Sequence, residues 1–513
     1  MSKSTQSWEP SVAIIGAGCS GIILGLKLKA IGFHNFVIYE RDSDVGGTWL
    51  TNTYPVSLYR KSSHGAYSNS KLYTIARGVD ANWQKLARDN GLYEHCQFRT
   101  SFINAKWDDS TSSYRIRLKE GTRFGPDAPD SQSINNGRSG AYDGQIVEKE
   151  HNVLVSCIGG FSFPLIPKMN GLPNPYKDDK PILEKPDEIL ARFSHAAATR
   201  DDLTEQHGED KFKGLVLHPS RWPRQGVDLH DKKVIVFGNG CSGQKVESIA
   251  QALPFPRIYP IGMCVVVVPL QQQMAKRYRG EGAEYLESLS KPNVETVTSP
   301  VERFTEHGFV TADGTSHEVD VVVLATGYDV TASTLDVTGR DGLRASTAIL
   351  GDDSPRGYRG LALPKFPNHW LCLSLNTAPG HGSVLTNIEV QAAYITQCIN
   401  AMRTFGVKVL EVKEEPTREY NAWLDRRLEN TVWAKGSSFY RLGKERNGRI
   451  FTNWPAPIAL YWWQNSSPKW QDWIGADQIA AKAQSRQRRM MVDIALALVG
   501  LAYFWTKFGP KWV

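Results

Sequence analysis

The feature that most limits what this chain can fold into is a pattern that occurs twice. A short apolar run, Ser11-Val12-Ala13-Ile14-Ile15, leads into Gly16-Ala17-Gly18-Cys19-Ser20-Gly21 and then into a helical pattern from Ile22 to Ile31. Much later, Val234-Ile235-Val236-Phe237 leads into Gly238-Asn239-Gly240-Cys241-Ser242-Gly243, and a second helical pattern runs through Ala250. Apolar runs of this length suit strands buried on both faces of a parallel sheet. In such a unit the first glycine makes the sharp turn, the second lets backbone approach a pyrophosphate, and the third lets helix pack on strand. Free N–H groups and the dipole at the helix N-terminus then attract the phosphates. The expected fold class is therefore α/β with two Rossmann-type dinucleotide-binding domains. Gly16, Gly18, Gly21, Gly238, Gly240 and Gly243 are the expected cofactor-binding glycines.

The acidic partner of the first turn is also present. A second strand, Phe36-Val37-Ile38-Tyr39, ends on Glu40, close to the 20-residue spacing at which a carboxylate can accept from ribose hydroxyls. The equivalent place in the second unit follows Arg257-Ile258-Tyr259-Pro260-Ile261 and is occupied by Gly262, which provides neither a carboxylate for a free ribose nor an arginine for a 2′-phosphate. Two such units in one chain suit two dinucleotides, one donating a hydride to the other.

Size and charge narrow the class further. At 513 residues the chain is long enough for two to four domains. Its net charge of +7 is spread over 60 basic and 53 acidic residues without a long basic run, so no nucleic acid partner is expected. The seven cysteines are scattered, none in a CxxC pair, and read as reduced thiols of an intracellular protein. No metal site is expected. The N-terminus has no apolar segment of a secretory signal, which points to a cytoplasmic protein. Near the C-terminus, Arg486, Arg488 and Arg489 precede the apolar stretch Met490 to Trp505. It is shorter than the roughly 20 residues of a spanning helix, and two readings stand: a packed or interfacial helix, or a membrane anchor.

Two local motifs go beyond a generic nucleotide fold. Glu40 is followed by Arg41-Asp42-Ser43-Asp44-Val45-Gly46-Gly47-Thr48-Trp49. Between the two units lies Phe212-Lys213-Gly214-Leu215-Val216-Leu217-His218-Pro219-Ser220-Arg221-Trp222-Pro223, which matches the pattern FxGxxxHxxxWP at every specified position. With these motifs the chain resembles the class B flavoprotein monooxygenases, the family of Baeyer–Villiger and flavin-containing monooxygenases. Trp49 points to the Baeyer–Villiger branch. The likeness continues through Cys157-Ile158-Gly159-Gly160, Leu324-Ala325-Thr326-Gly327-Tyr328-Asp329, Phe366-Pro367-Asn368, Asn376 and Gly380-His381-Gly382-Ser383, and so covers nearly the whole chain.

The resemblance implies an NADP domain inserted into an FAD domain. The expected division is 1–165 for the first part of the FAD domain and 166–329 for the NADP domain, with a polar insertion at 172–211. Residues 330–475 would return to the FAD domain and the substrate pocket, and 476–513 would form a C-terminal helical tail. It implies FAD held by the first glycine set with Glu40, Gly47, Thr48, Trp49 and Asn376, and NADPH held by the second set with Lys276 on the 2′-phosphate. Phe212, Gly214, His218 and Trp222 would couple the domains, His218 without acting as a base. Arg277 would be the catalytic cation beside a C4a-peroxyflavin, which inserts one atom of dioxygen next to the carbonyl of an apolar ketone, in specialised metabolism.

One position departs from the family pattern. In Tyr54-Pro55-Val56-Ser57-Leu58-Tyr59-Arg60, Arg60 stands where the family has an aspartate that holds the catalytic arginine. This keeps open a hydroxylating or heteroatom-oxidising relative, and a flavin-bound isomerase or cyclase that consumes no oxygen. Tyr440, Trp454, Trp462 and Trp463 could wall a substrate pocket or fill core.

Overall fold

The computed structural model describes residues 8–52, 81–121, 144–161, 164–173, 212–222, 227, 229, 232–238, 257–261, 294–328, 336–351, 356–380, 382–435, 440–442 and 448–485. The first motif, and Gly238 of the second, sit where the sequence pattern puts them, at the ends of inner strands in parallel sheets. In the first sheet the strand order is His369–Leu371, Val153–Ser156, Val12–Ile15, Phe36–Tyr39 and Cys96–Gln97, and every pairing is parallel. In the second sheet it is Arg257–Ile261, Lys233–Phe237, Val321–Leu324 and Leu215–Leu217, again all parallel.

The two sheets are nested in the chain. The backbone leaves the first sheet after Ser156 and returns at His369, on a strand paired with the one it left. All four strands of the second sheet lie between those points.

Strand alternation explains how each sheet is covered. Val12, Ile14, Val153 and Val155 point to one face, where they pack with the helices Cys19–Ala30 and Val384–Phe405 through Ile22, Leu28, Ile395 and Met402. Ala13, Ile15 and Leu154 point to the other face and pack with Trp107, Tyr114 and Ile116. Those aromatics belong to a four-stranded sheet ordered Val337–Thr338, Thr100–Asp108, Ser113–Glu120 and Ile146–His151. The second sheet repeats the division. Ile235, Phe237, Val322 and Leu324 meet Phe304 and Phe309, and Val234, Val236, Val321 and Val323 meet Trp222 and Leu229. With apolar partners on both faces, the strands have no polar side to display, as their continuous apolar runs require.

The first glycine of each turn shows how closely the two units correspond. Gly16 has φ +105° and a Cβ there would stand 2.9 Å from the Cys157 carbonyl oxygen. Gly238 has φ +95°, and its Cβ would stand 2.4 Å from the carbonyl oxygen of Ala325. Each turn is thus wedged against the end of the neighbouring strand. Gly314, at φ +82°, has nothing within 4 Å of the same position. Gly314→Ala should therefore cost only the backbone strain, about 1–2 kcal/mol, while Gly238→Ala adds a clash with backbone. Denaturant titration of both variants checks this: the expected order is a clearly larger loss for Gly238→Ala, and equal losses would count against the wedge.

Candidate functional site

The ends of the first sheet's strands open into a cavity of about 640 Å³, within the range of small-molecule and cofactor sites. Its wall is built from separate parts of the chain. These are Gly16, Gly18 and Cys19 of the first turn, Glu40 to Asp42, Gly46 to Trp49, Thr100 to Ile103, Ser156 to Phe161, and His369 together with Leu371 to Leu375. Phe451 to Asn453 and Tyr440 close another side.

Glu40 organises the turn. Its Oε2 accepts from the Ala17 backbone N–H at 2.6 Å and its Oε1 from the Asp42 N–H at 2.9 Å. The carboxylate is buried, and burial followed by the neighbouring Asp42 pushes its pKa up to about 7 despite these two donors and Arg41. The second glycine loop is tied to the first by the Gly46 N–H, which donates to the Ala17 carbonyl at 3.0 Å. Gly21 does not line the cavity: a Cβ there would lie 2.0 Å from the Gly16 carbonyl oxygen, so its part is helix-on-turn packing. Gly18, Gly47, Thr48 and Trp49 do line it, and Trp49 is 41% exposed.

Asn376 takes a different place from the one the sequence suggests. It is not among the lining residues; its buried amide donates to the carbonyls of Ile450 and Asn453, holding the wall segment that includes Phe451 and Thr452. Tyr440 lines the cavity, whereas Trp454 is core, packed edge-on against Tyr461. Trp462 and Trp463 are 57% and 67% exposed.

The FxGxxxHxxxWP segment lies where the two units meet. Phe212 packs on Phe304, and a Cβ on Gly214 would come within 2.4 Å of both the Phe212 ring and the Asp320 carbonyl, so the glycine makes room for the phenylalanine. Trp222 is buried in the second unit's core. The Ser220 N–H donates to His218 Nδ1 at 3.2 Å, which makes Nδ1 an acceptor and leaves Nε2 to donate to the Gly327 carbonyl at 3.0 Å. Burial, then Arg221, lowers the His218 pKa to about 3, so the ring is neutral and acts as a strut.

From Gly327 the connection continues back to the cavity. The Tyr328 ring stands edge-on to His218 at 5.4 Å and also packs on Phe161, and its hydroxyl donates to Asn52 Oδ1 at 2.8 Å. Asn52 in turn donates to the Thr48 carbonyl at 2.9 Å. Leu165 N–H donates to the Gly327 carbonyl as well. The sequence puts the Leu324 to Asp329 motif at the end of the expected NADP domain, but assigns no contact to Tyr328 or Asn52, because their meeting depends on the nested topology.

Sequence reasoning also missed a histidine. His369 Nε2 meets Ser156 Oγ at 2.8 Å, and both residues line the cavity on adjacent strands. Burial lowers the His369 pKa to about 3. Cys19, Cys157 and Cys372 line the same wall as free cysteines; burial pushes the Cys19 thiol up to about 11, and a hydrogen bond to Cys372 with burial raises that of Cys157. The raised thiols of Cys19 and Cys157 stay neutral and are poor nucleophiles. Gly240, Gly243, Gly262, Lys276, Arg277, the Tyr54 to Arg60 loop, most of 172–211 and the tail from 486 onward lie outside the described residues. Among the described residues no helix is long and apolar enough to cross a membrane.

No protein-family model matches the chain. Its sequence is 24% identical to the FAD-binding monooxygenase ktnD of Aspergillus niger, over 96% of this chain and 86% of that protein. It is also 24% identical to a Baeyer-Villiger monooxygenase of Pseudomonas aeruginosa, over 86% of this chain and 87% of the relative. The fold is similar to that of cyclohexanone monooxygenase from Rhodococcus sp. Phi1 bound to NADP+, with a TM-score of 0.64 and 16% identity over 90% of this chain and 97% of that one. The resemblance read from the motifs thus holds both in sequence and in fold.

Two outcomes follow from the geometry. Between pH 4.5 and about 7, the folded chain keeps a proton on Glu40 that the unfolded chain has released. Glu40 therefore subtracts from stability progressively as pH rises through that window, by about 3 kcal/mol at most. Denaturant unfolding of the flavin-free protein should show Glu40→Gln to be less sensitive to pH across the window than wild type. Removing the hydroxyl in Tyr328→Phe should leave the fold intact, at a cost of about 1 kcal/mol. Limited proteolysis should nevertheless cut between the units faster than in wild type, and unchanged cleavage would argue against the Tyr328–Asn52 tie.

Proposed function

We propose that this chain is an FAD-dependent, NADPH-consuming monooxygenase of the Baeyer–Villiger type, inserting one oxygen atom next to the carbonyl of an apolar ketone. The observation that carries the reading is the cavity at the ends of the first parallel sheet, with a second parallel sheet of the same build tied beside it. The Gly16–Gly18 turn, Glu40 and the Gly46–Trp49 segment suit one nucleotide site, and the tie from His218 through Gly327 and Tyr328 to Asn52 supports a second nucleotide unit beside it. The sequence relatives named FAD-binding and Baeyer-Villiger monooxygenases, and the NADP-bound structural neighbour, agree with it.

The residues present suit FAD. Gly18 puts no side chain between the turn and a pyrophosphate, the helix Cys19–Ala30 offers its N-terminus, and Glu40 retains acceptor capacity for ribose hydroxyls after its two backbone bonds. Bound FAD would supply the electron transfer from NADPH to dioxygen. The chain's own part is to align and to exclude water. Trp49 and Phe161 stand half-exposed on the cavity wall, where they can cover an apolar substrate. Tyr328, braced by His218, ties the second unit to Asn52 beside the Thr48–Thr51 turn of the wall.

The remaining roles are carried by residues outside the described part: Lys276 toward the 2′-phosphate, and Arg277 as the cation that steadies the negative charge developing on oxygen. Residues 166–329 would be the NADP domain inserted in the FAD domain. The protein would work in the cytoplasm on a small organic molecule.

Purified protein should be yellow, bleach with NADPH faster than with NADH in the absence of oxygen, and recolour when air is admitted. Under labelled dioxygen a ketone substrate should give an ester or lactone carrying one labelled atom. A hydroxylated product or an N-oxide would replace the Baeyer–Villiger reading by a related oxygenation, and failure of both nicotinamides to bleach the flavin would overturn the enzyme assignment.

A further inference from the structure

The strand Phe36–Tyr39 ends in Glu40-Arg41-Asp42, so two carboxylates two residues apart reach the same cavity. Their situations differ. Both Glu40 oxygens accept backbone N–H groups. Asp42 is only 4% exposed; its Oδ2 is 4.0 Å from Arg41 Nε, and its Oδ1 has no hydrogen-bond donor among the described residues. The Asp42 main chain is fastened on both sides, its N–H to Glu40 and its carbonyl to the Arg99 N–H. A buried carboxylate oxygen without a donor is costly, and the cost is recovered only when a donor arrives.

We propose that Asp42 is a second recognition carboxylate for the adenosine half of FAD, accepting a hydrogen bond from the adenine exocyclic amine or from a ribose hydroxyl. This rests on the FAD reading above. The pyrophosphate is anionic and has no hydrogen to give, so Asp42 repels it. Adenosine is the neutral part of the cofactor next to the acid that ends the second strand, and it carries both kinds of donor. Glu40 serves two masters, the Ala17 turn and the ribose, whereas Asp42 has an oxygen free for the ligand. The chain would thus recognise adenosine with two carboxylates and discriminate against flavins that lack it.

The test uses full-length protein stripped of flavin, with FAD affinity read by flavin fluorescence and the flavin-free melting midpoint read in parallel. Asp42→Asn and Asp42→Ser should both weaken FAD about 10- to 100-fold, as expected for loss of a hydrogen bond to a charged group. The flavin-free midpoint should stay level or rise, because an unsatisfied buried charge is removed. With ethenoadenine FAD, in which the amine is blocked, or with FAD carrying 2′- or 3′-deoxyribose, the penalty of the substitution should vanish for one analogue and so identify the donor. Unchanged FAD affinity in both variants overturns the proposal, as does a penalty that persists with every analogue. If wild type itself binds no FAD, the cofactor reading falls and this inference falls with it; wild-type binding with indifferent variants sinks Asp42 alone.

Discussion

The hydrogen bond from the Ala17 N–H to Glu40 is the contact on which the rest of the site depends. It joins the glycine turn after the first strand to the end of the second, so the two pieces of backbone that shape the nucleotide cleft move as one. Gly46 adds the adjoining loop through Ala17, and the turn is wedged from behind by the Cys157 carbonyl. A carboxylate buried in this way opposes folding of the empty protein as it ionises; in the proposed complex a ribose would use the same oxygens. Asp42 extends that logic to a second acid. Under the proposed reading, a ligand that brings donors would offset the cost that these acids impose on the empty cleft.

The second organising element is the seam between the parallel sheets. Because the chain leaves one sheet and returns to the strand beside its point of departure, both connections must pass the same place. The FxGxxxHxxxWP segment occupies that seam. Its histidine is kept neutral by burial and held in one tautomer by Ser220, and it spends its remaining N–H on Gly327. Tyr328 then reaches across to Asn52, which caps the short helix Thr48–Thr51. A chain of neutral hydrogen bonds and ring contacts is well suited to such a joint, since it is directional yet carries little desolvation cost.

The parts of the fold governed by local rules were legible in the sequence. Apolar runs with glycine turns identified Val12–Ile15 and Lys233–Phe237 as inner strands, because strands covered on both faces have no polar alternation to hide. The place of Glu40 at the end of the second strand was legible by spacing. Asn376 was not: its motif suggested a place against cofactor, but its amide is committed to Ile450 and Asn453, a contact made between segments far apart in the chain. The aromatic residues near the end were ambiguous for a similar reason. Trp454 and Trp462 have similar composition around them, and only packing decided that one is core and the other exposed.

What the sequence by itself determined is the pair of nucleotide units and the order of their parts, since turn geometry and strand burial act within about 20 residues. Only the tertiary structure decided which groups meet across the seam and which polar atoms remain unsatisfied. The Ser156–His369 and Tyr328–Asn52 contacts join segments 213 and 276 residues apart, and the Asp42 environment is closed by Arg99 from a later strand end. Hydrogen-bond satisfaction is a property of a three-dimensional neighbourhood, and no one-dimensional pattern records it.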